Sequence, residues 1–573
     1  MKGIAIGLSN NSKEILKRLK KTKFVKDIYV AGSSKEDGKA NQLIQVQKPK
    51  EILLKKWTEI DLIIFIGSIA ASIRIINSFL TSKDQDPGVI VIDNKCSKIV
   101  PLIGLHQSNT QNIAFQIANL LGGEIIETNN SNDQSFLNLD AFGKQWGWKR
   151  AGNIKDWSKL VIKQAKNEEI FCKQLSGNRL WKNSESGEIM NQINEKEIEK
   201  PDSTFHVSIF ENHKTTWHPP VLWIGIGCER NTSKELIANS LNNLLESRNL
   251  SKYSIAGLAT VDIKKDEKGI LELAEEKNLP IKFFSKEDLS TIIVPNPSIV
   301  VEKAIGTPSV AEASCLMAAG EESKLLEEKR IFQNRSGAVT IAVAESKNQY
   351  NPTHGEIHII GSGPGDISFL TSNAKKALSR CTVWIGYKMY LDLIKSLKRS
   401  DQVLIESKLT EEEERCSKAI KLAEEGIKVA LISSGESGFY GMAGLLLELL
   451  QKIKKEYRPY YEVHPGISSV QLAAAISGAP LMNDFCSVSL SDKLTPWSLI
   501  EKRIEGALVG DFVIALFNPQ SIERNWQLKS VIDKCLQSKD GDTPVLIARQ
   551  VGRENQTKKF FTLNTIPFKE IDM

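Results

Sequence analysis

The chain has 573 residues, too many for a single hydrophobic core, so roughly three to five domains are expected. Its hydrophobic content of 41% and charged content of 25% are those of an ordinary globular protein. The formal net charge of +6 suits a polycarboxylated ligand but is too small to indicate nucleic-acid binding.

The 8 cysteines and 7 histidines are scattered along the chain, and no Cys-x-x-Cys pair occurs. This spacing predicts neither a disulfide framework nor a metal site, and free thiols suit a reducing compartment. The first residues lack the features of a secretory signal, and no apolar run is long enough to span a membrane. We therefore predict a soluble cytoplasmic protein with no metal of its own and no membrane or nucleic-acid partner.

Residues 1–145 alternate short apolar strands with helical patterns, which is typical of a parallel α/β sheet. The predicted strands cover residues 3–7, 61–67 and 88–93, and the predicted helices cover residues 13–21, 68–80 and 110–121. His106 stands just before the amino end of the last helix. A lone histidine there is either an ordinary loop residue or a catalytic group beside a helix end that attracts anions.

Residues 146–220 are lysine-rich and carry tryptophans at positions 146, 148, 157 and 181. Residues 182–202 are polar enough for a surface excursion or a linker. The consecutive prolines Pro219 and Pro220 indicate a boundary, because they stop regular structure. We expect a small connecting domain here.

Residues 221–346 form another α/β pattern, with strands predicted at residues 221–228, 255–261 and 338–344. Ser233 can cap the helix that follows the first of these strands. Glycines 225 and 227 would let an anion approach the backbone at the amino end of that helix.

The last region opens with a strand that ends at the turn Gly361-Ser-Gly-Pro-Gly365. Its glycines permit backbone conformations that let a ligand approach the main chain. The turn lacks the full spacing of a dinucleotide site and the Lys-Ser/Thr of a phosphate loop. By itself it predicts either a ligand site or a plain turn.

Further turns follow apolar strands in the same region. They start at Gly435, His464, Ser487, Phe517 and Thr543, the last of them running on to Gly552. In open α/β sheets, turns at the carboxyl ends of strands bind cofactors, so this many turns together favour a ligand site over plain turns.

In this order the turns of residues 355–573 resemble precorrin-3B C17-methyltransferase, a family with the tetrapyrrole methylase fold. The resemblance is strongest at Gly386-Tyr-Lys388, Tyr440-Gly-Met-Ala443, Ser489-Leu-Ser-Asp492 and Thr495-Pro-Trp497. It implies a two-lobed class III methyltransferase fold, S-adenosylmethionine as methyl donor and a tetrapyrrole substrate with carboxylate arms. It also implies C17 methylation with ring contraction and a possible homodimer through this region.

The resemblance also implies site residues. The expected cofactor contacts are Gly363, Pro364, Gly435, Gly438, Phe439, Tyr440, Ser491, Phe517, Asn518 and Pro544. Ring contraction requires proton transfer, for which Asp366, Glu436 and His464 are candidates that the sequence does not rank. Arg549 and Arg553 either pair with substrate carboxylates or are ordinary surface arginines.

Two segments depart from the family pattern. The usual Gly-Asp-Pro-Gly is Gly435-Glu-Ser-Gly438, which keeps a carboxylate. The chain stops at Ile571-Asp-Met573, where the family would continue into a final strand, so we expect an incomplete sheet edge.

The first two α/β regions resemble the two domains of cobalt-precorrin-5A hydrolase. The matching segments are residues 86–93, 225–233, 259–264, 283–285, 294–297 and 306–312. His106 is retained from the family's Gly-His-x-Gly-Gly-Ala-Asn segment, which otherwise reads Leu105-His-Gln-Ser-Asn-Thr-Gln111. The sequence thus predicts a multidomain α/β protein whose front half is either a lactone hydrolase or a non-catalytic corrinoid-binding module.

A third alternative is a methylase of the same fold that acts on another tetrapyrrole or on RNA. Cobalt is expected only as part of the substrate.

Overall fold

The structure is a computed structural model of the chain. It describes residues 2–31, 45–46, 48–81, 85–104, 110–126, 137–139, 141–194, 197, 200–335, 337–521 and 525–572. The chain divides into two compact units, Met1–Gln134 and Ser135–Met573.

The described part of the first unit is a β-sheet covered by helices on both faces. Its strands are β1 Gly3–Gly7, β2 Asp27–Val30, β3 Gln45–Val46, β4 Leu62–Ile66, β5 Gly88–Ile92, β6 Lys98–Ile103 and β7 Glu124–Ile125. Its helices are α1 Lys13–Lys20, α2 Pro49–Lys56, α3 Ile69–Ile76 and α4 Thr110–Leu121. The strand order is β3-β2-β1-β4-β5-β6-β7.

The predicted strands and helices of this unit are confirmed, but the sheet is not wholly parallel. β5 and β6 are antiparallel, while the other neighbouring strands run parallel. The short turn after Asp93, with Cys96 in the left-handed region at φ 56°, joins the two strands as a hairpin and leaves no room for a crossover helix.

The second unit begins with a five-stranded sheet where the sequence predicted only a connecting domain. Its strands are β8 Lys149–Gly152, β9 Phe171–Gln174, β10 Asn191–Gln192, β11 Thr204–Val207 and β12 Thr215–His218, with helices α5 Ile154–Ala165 and α6 Glu185–Glu188. The strand order is β10-β9-β11-β12-β8. Trp146, Trp181 and Trp217 are fully buried here, so a few large side chains build a core within a polar stretch.

A second five-stranded sheet follows, and it contains the three predicted strands of its region. Its strands are β13 Leu222–Cys228, β14 Ile255–Val261, β15 Ile281–Phe284, β16 Lys324–Asn334 and β17 Gly337–Glu345. Its helices are α7 Lys234–Ser247, α8 Lys268–Lys277, α9 Lys286–Ser290, α10 Ile299–Ile305 and α11 Ala311–Ala319. The order is β15-β14-β13-β17-β16, and Ser233 caps α7 as predicted.

The last region has two lobes, and its first lobe is a parallel sheet of order β20-β19-β21-β18-β22. The strands are β18 Glu356–Gly361, β19 Val383–Tyr387, β20 Val403–Ser407, β21 Lys428–Ser433 and β22 Tyr460–His464. The helices are α12 Ser372–Arg380, α13 Lys388–Ile394, α14 Glu412–Glu424 and α15 Ala443–Gln451.

The second lobe contains two strand pairs packed with three helices. The parallel pair is β23 Phe485–Ser489 with β24 Val513–Phe517, and the antiparallel pair is β25 Pro544–Arg549 with β26 Thr557–Thr562. The helices are α16 Ser469–Ser477, α17 Trp497–Val509 and α18 Gln527–Ser538. The predicted multidomain α/β class with a two-lobed last region is confirmed.

One hydrophobic core joins the first sheet of the second unit to the first lobe. It includes Trp146 and Trp217 from one side and Ile357, Val429 and Leu431 from the other. The two sheets therefore share buried surface and do not form independent domains.

Gln349 reinforces this junction from the connecting segment. Its Oε1 accepts from the Trp148 indole Nε1–H at 2.7 Å, and its Nε2 donates to the carbonyls of Trp146 and Glu425 at 2.6 and 2.7 Å. Gln349 is 2% exposed, so its polar atoms find protein partners in place of water.

Within the part of the chain that the structure describes, no helix combines the length and the apolar character needed to cross a membrane.

Candidate functional site

The glycine-rich turns after β18 and β21 are hydrogen-bonded to each other. The Gly363 N–H donates to the Gly435 carbonyl at 3.0 Å, and the Gly435 N–H donates to the Gly363 carbonyl at 2.9 Å. Their φ angles, 74° and 63°, lie in the left-handed region that favours glycine. Because β18 and β21 are adjacent parallel strands, their carboxyl ends bring the two turns together.

The turn after β22 packs against the same pair. A Cβ on Gly466 would lie 2.0 Å from the Gly435 carbonyl oxygen and 2.6 Å from the Gly361 carbonyl oxygen. Only a glycine allows the backbones to approach so closely. Three of the turns singled out in the sequence thus meet at one end of the first-lobe sheet.

A fourth turn reaches this point from the second lobe. The Asp366 N–H donates to the Gly552 carbonyl at 2.6 Å, and Arg553 Nε donates to the Pro364 carbonyl at 3.3 Å. Arg553 Nη1 also lies 3.6 Å from the sulfur of Met389. The two lobes therefore meet at the turn that contains Gly363, Pro364 and Asp366.

The carboxylates of Asp366 and Glu436 bond to their own turns. Asp366 Oδ1 accepts from the Ser368 N–H and Glu436 Oε2 accepts from the Gly438 N–H, each at 2.7 Å. The hydrogen bonds from Ser368 lower the pKa of the exposed Asp366 carboxyl group, so it is ionised at neutral pH. An ionised carboxylate can accept a proton but has none to donate.

Three aromatic rings form a wall across the two lobes. The Phe517 ring centroid lies 5.3 Å from those of both Phe439 and Tyr440. The Tyr440 hydroxyl donates to the Ser487 carbonyl at 3.0 Å. Tyr440 has φ 57°, an uncommon conformation for a bulky residue, which the contacts on both sides hold in place.

Asn518 and Ser491 lie beside this wall and share one partner. Asn518 Nδ2 donates to Ser489 Oγ at 3.0 Å, and the Ser491 N–H donates to the same oxygen at 3.3 Å. The structure thus groups these two predicted cofactor residues with Phe517.

Pro544 and Arg549 lie at opposite ends of β25. Both are exposed, and the Arg549 guanidinium forms an ion pair with Asp572. Of the two predicted substrate arginines, Arg553 is the one that contacts the glycine turns.

Two buried hydroxyl groups at the site find no hydrogen-bond partner among the described residues. They are Ser437 Oγ, between Glu436 and Gly438, and Ser487 Oγ, on the residue whose carbonyl Tyr440 contacts. Buried hydroxyl groups without a partner also occur far from this site, at Ser9, Ser176 and Ser254, so this pair does not by itself mark a ligand position.

A cavity of about 460 Å³ opens at the carboxyl ends of β19 and β20. Its lining residues are Tyr387, Lys388, Met389, Asp392, Ser407, Lys408 and Leu409. Because Met389 also contacts Arg553, the cavity adjoins the glycine turns. Most of these residues were assigned no role from sequence, although the apolar strand followed by Tyr387-Lys-Met-Tyr390 was a usable signal.

His464 is buried at the end of β22 and belongs to a polar cluster. Its Nε2 lies 2.9 Å from Nδ1 of His358, whose Nε2 lies 2.9 Å from Glu356 Oε2. Glu462 Oε2 lies 3.8 Å from each of the two facing ring nitrogens. His358, Glu356 and Glu462 were missed from sequence, because only the pairing of β18 with β22 brings such distant residues together.

In the hydrolase-like regions the predicted residues are placed differently. His106 lies outside the described residues. The expectation that Gly225 lets an anion approach is wrong, because its Cβ position is filled by the Ala311 carbonyl of α11 at 1.8 Å. Gly225 therefore allows α11 to pack closely against β13.

Three segments of the chain match protein families. Residues 51–132 match the family described as Cobalamin synthesis G N-terminal, and residues 222–344 match Cobalamin synthesis G C-terminus. Residues 356–567 match Tetrapyrrole (Corrin/Porphyrin) Methylases.

Two curated proteins are similar to different shares of the chain. The probable cobalt-factor III C(17)-methyltransferase of Salmonella typhimurium is 44% identical over 38% of this chain and 89% of its own length. The cobalt-precorrin-5A hydrolase of Priestia megaterium is 27% identical over 59% of this chain and 93% of its own length.

Among solved structures, the methyltransferase CobJ is 33% identical over 38% of this chain and 91% of its own length, with a TM-score of 0.37. The three family matches and the two curated relatives confirm both resemblances that the sequence motifs indicated.

Proposed function

The chain belongs to the tetrapyrrole methylase family, and on that premise we propose that it transfers a methyl group from S-adenosylmethionine to C17 of a precorrin-3-type macrocycle. The observation that carries this proposal is the convergence of four glycine-rich turns from both lobes on Gly363 and Asp366. The similarity to a C(17)-methyltransferase over 89% of that protein's length supports it.

The residues at this point fit the cofactor. The turns at Gly435 and Gly466 pack closely against each other, and the exposed Tyr440 follows Gly435 in the same turn. Tyr440 and Phe517 supply aromatic faces for a base to stack on. When bound, S-adenosylmethionine supplies an activated methyl group on a sulfonium.

The remaining cofactor contacts that we propose follow the same wall. They are Gly363, Pro364, Gly435, Gly438, Phe439, Ser491, Asn518 and Pro544. Pro544 is the weakest member of this set, because it is exposed at the start of β25.

The chain's contribution to the transfer is alignment. The Gly363 turn is held on one side by Gly435 and on the other by Gly552, so donor and acceptor would meet a rigid surface. Transfer of an activated methyl group depends on orientation more than on a strong base.

The macrocycle would occupy the cavity beside Met389. Its volume of about 460 Å³ is in the range of small-molecule sites. Lys408 lines it and Arg553 contacts its wall at Met389, and these two side chains would pair with substrate carboxylates. Lys388 is a weaker candidate because Glu406 and Asp392 already pair with it. Arg549 is a weaker candidate because Asp572 already neutralises it.

For the proton transfers of ring contraction we propose Asp366 and Glu436. Both carboxylates lie on the turns that meet at the cleft. We leave His464 out of this role, because its Nε2 already faces His358 and the ring is 6% exposed.

The substrate would carry cobalt as a bound ion of its own, as the name of the cobalt-factor III relative indicates. We also propose a cytoplasmic location and a homodimer through the second lobe. The exposed apolar side chains of Phe485, Phe512 and Val513 on that lobe support the dimer.

A second candidate function is lactone opening of cobalt-precorrin-5A by the regions before residue 346. The matches to both cobalamin synthesis G families and to the Priestia megaterium hydrolase favour it. The alternative is that these regions bind corrinoid intermediates without catalysis.

Two incubations of the full chain test the two activities. In the first, the chain receives labelled S-adenosylmethionine and either cobalt-factor III or precorrin-3B, and the product mass is measured. In the second, it receives cobalt-precorrin-5A, and acetaldehyde release is measured. We expect one labelled methyl group on the macrocycle.

Label on another tetrapyrrole or on RNA, with none on these substrates, would contradict the methyltransferase proposal. Acetaldehyde from cobalt-precorrin-5A supports the hydrolase, and binding of that lactone without acetaldehyde supports the binding alternative. His106→Ala is the matched variant for the second activity.

A further inference from the structure

Three potential metal ligands converge at the edge of the first-lobe sheet. They are His358 on β18 and Glu462 and His464 on β22, and their ligand atoms all lie within 4.8 Å of one another. In the pairing of β18 with β22, His358 is opposite Glu462 and Ile360 is opposite His464. Alternate residues of a strand face the same side, so the three side chains share one face of the sheet.

The distances among the three atoms suit a zinc-sized coordination sphere. His358 Nδ1 and His464 Nε2 are 2.9 Å apart, and each lies 3.8 Å from Glu462 Oε2. A point equidistant from three atoms with these separations lies about 2.1 Å from each of them, which is the length of Zn–N and Zn–O bonds. An ion could therefore enter with only small side-chain movements.

The surroundings of the cluster are those of a supported metal site. His358 Nε2 lies 2.9 Å from Glu356 Oε2, which fixes the ring and directs Nδ1 toward the centre. Glu356 is held in turn by Lys428 Nζ at 2.5 Å and Arg380 Nη2 at 3.1 Å. The two histidines are buried, whereas the Glu462 side chain is 47% exposed, so an ion has a route from solvent and room for a water ligand.

We propose that His358, Glu462 and His464 form a binding site for a divalent cation of the zinc class. Two imidazoles and one carboxylate suit Zn²⁺, Co²⁺ or Ni²⁺, and they do not suit Ca²⁺ or Mg²⁺, which prefer oxygen ligands alone. The ion ties the edge strand β22 to β18. It thereby steadies the Gly466 turn two residues beyond His464, which packs on Gly361 and Gly435.

The test uses the full chain without an affinity tag, stripped of metal by a chelator. Calorimetry measures Zn²⁺ binding, and Co²⁺ serves as a second probe because four-coordinate nitrogen and oxygen ligation gives intense visible absorption. We expect one equivalent of Zn²⁺ per chain, a visible Co²⁺ spectrum, and a Tm raised by Zn²⁺ but not by Mg²⁺.

The variants distinguish this site from other histidines. His358→Gln and His464→Gln should abolish the Co²⁺ spectrum, and Glu462→Gln should weaken Zn²⁺ binding at least tenfold. Glu356→Gln should weaken it by about 10–100-fold, as loss of an outer carboxylate does. Because Glu462 is half-exposed, its variant tests the site even if a histidine variant fails to fold.

His213→Gln is the matched control, since the His206 and His213 rings form another close pair, with centroids 3.6 Å apart. Retention of Zn²⁺ and Co²⁺ binding in this control supports the proposal. Loss of binding in His213→Gln, unchanged binding in Glu462→Gln, or no stoichiometric binding by the native chain would each overturn it. The outcome is independent of methyl transfer.

Discussion

At the scale of single residues, the cleft depends on backbone contacts that only particular side chains permit. Gly466 has the Gly435 carbonyl oxygen where a Cβ would stand, 2.0 Å away. Asp366 joins its own turn through Ser368 and the second lobe through Gly552. A substitution at Gly466 therefore changes the backbone geometry, and a substitution at Asp366 can remove a charge without changing that geometry.

Gly466→Ala should destabilise the protein by about 1–3 kcal/mol, as overpacking does, and weaken S-adenosylmethionine binding at least tenfold. Urea unfolding and calorimetry measure the two effects. Gly444→Ala is the matched control, because a Cβ there meets nothing within 4 Å and alanine favours the helix α15 by about 1 kcal/mol. Equal cofactor affinity in both variants would exclude the Gly466 turn from the site.

Asp366→Asn removes the charge but keeps an oxygen that can accept from the Ser368 N–H. If Asp366 takes a proton during ring contraction, single-turnover formation of the contracted product should fall by about 100-fold or more while cofactor affinity is unchanged. Asp392→Asn, on the cavity wall, is the comparison. Full turnover by Asp366→Asn would remove this residue from proton transfer.

At the scale of elements, α14 ends at a buried carboxyl group that faces the preceding sheet. Glu425 Oε2 accepts from Asn178 Nδ2 at 2.5 Å, and the Glu425 carbonyl accepts from Gln349. Burial raises the pKa of Glu425 to about 7, although the Asn178 hydrogen bond opposes the shift. A carboxyl group whose pKa is higher in the folded than in the unfolded state lowers the stability of the fold as the pH rises and the group ionises.

Glu425 therefore makes the folded state less stable at high pH than at low pH. The contribution of Glu425 is greatest below the unfolded-state pKa of 4.5, declines as the pH rises toward about 7, and is constant above that. The loss is about 3 kcal/mol at most. Glu425→Gln keeps an acceptor for Asn178 and should remove the decline, so its Tm should exceed that of the native chain by a margin that grows from pH 5 to about 7 and then stays constant. Parallel Tm curves for the two proteins would contradict the raised pKa.

At the scale of the whole molecule, residues 135–573 form one compact unit in which the first sheet and the first lobe share a core. Lys398 pairs with Glu185 at 3.0 Å, and the Ser186 N–H donates to the Ser400 carbonyl at 3.0 Å. A cut at residue 346 or 355 would therefore expose apolar surface that both sides now bury.

We expect the fragment 135–573 to fold and to retain methyl transfer, because residues 1–134 form a separate unit. The fragment 355–573 should melt at least about 5 °C lower, since a loss of about 2 kcal/mol shifts the Tm of a domain this size by that much. Differential scanning calorimetry makes the comparison. Equal Tm values would show that the shared core adds no stability to the methylase region.

Local sequence was enough to locate several central strands and the glycine turns, because apolar runs and turn residues act over a few neighbours. It identified Gly363, Gly435, Tyr440 and Phe517, which the fold places together. The order of these turns along the chain also carried the methyltransferase resemblance, and separate segments before residue 346 carried the hydrolase resemblance. The amino-acid sequence by itself therefore determined the class of fold and which glycine turns lie at strand ends.

Only the tertiary structure decided which distant residues meet. The pairing of β18 with β22 brings His358 to His464, and the hairpin after β5 makes one pair of strands antiparallel. Buried tryptophans build a sheet from a lysine-rich stretch that looks like a linker. These outcomes depend on long-range packing and strand register, which no local window of sequence contains.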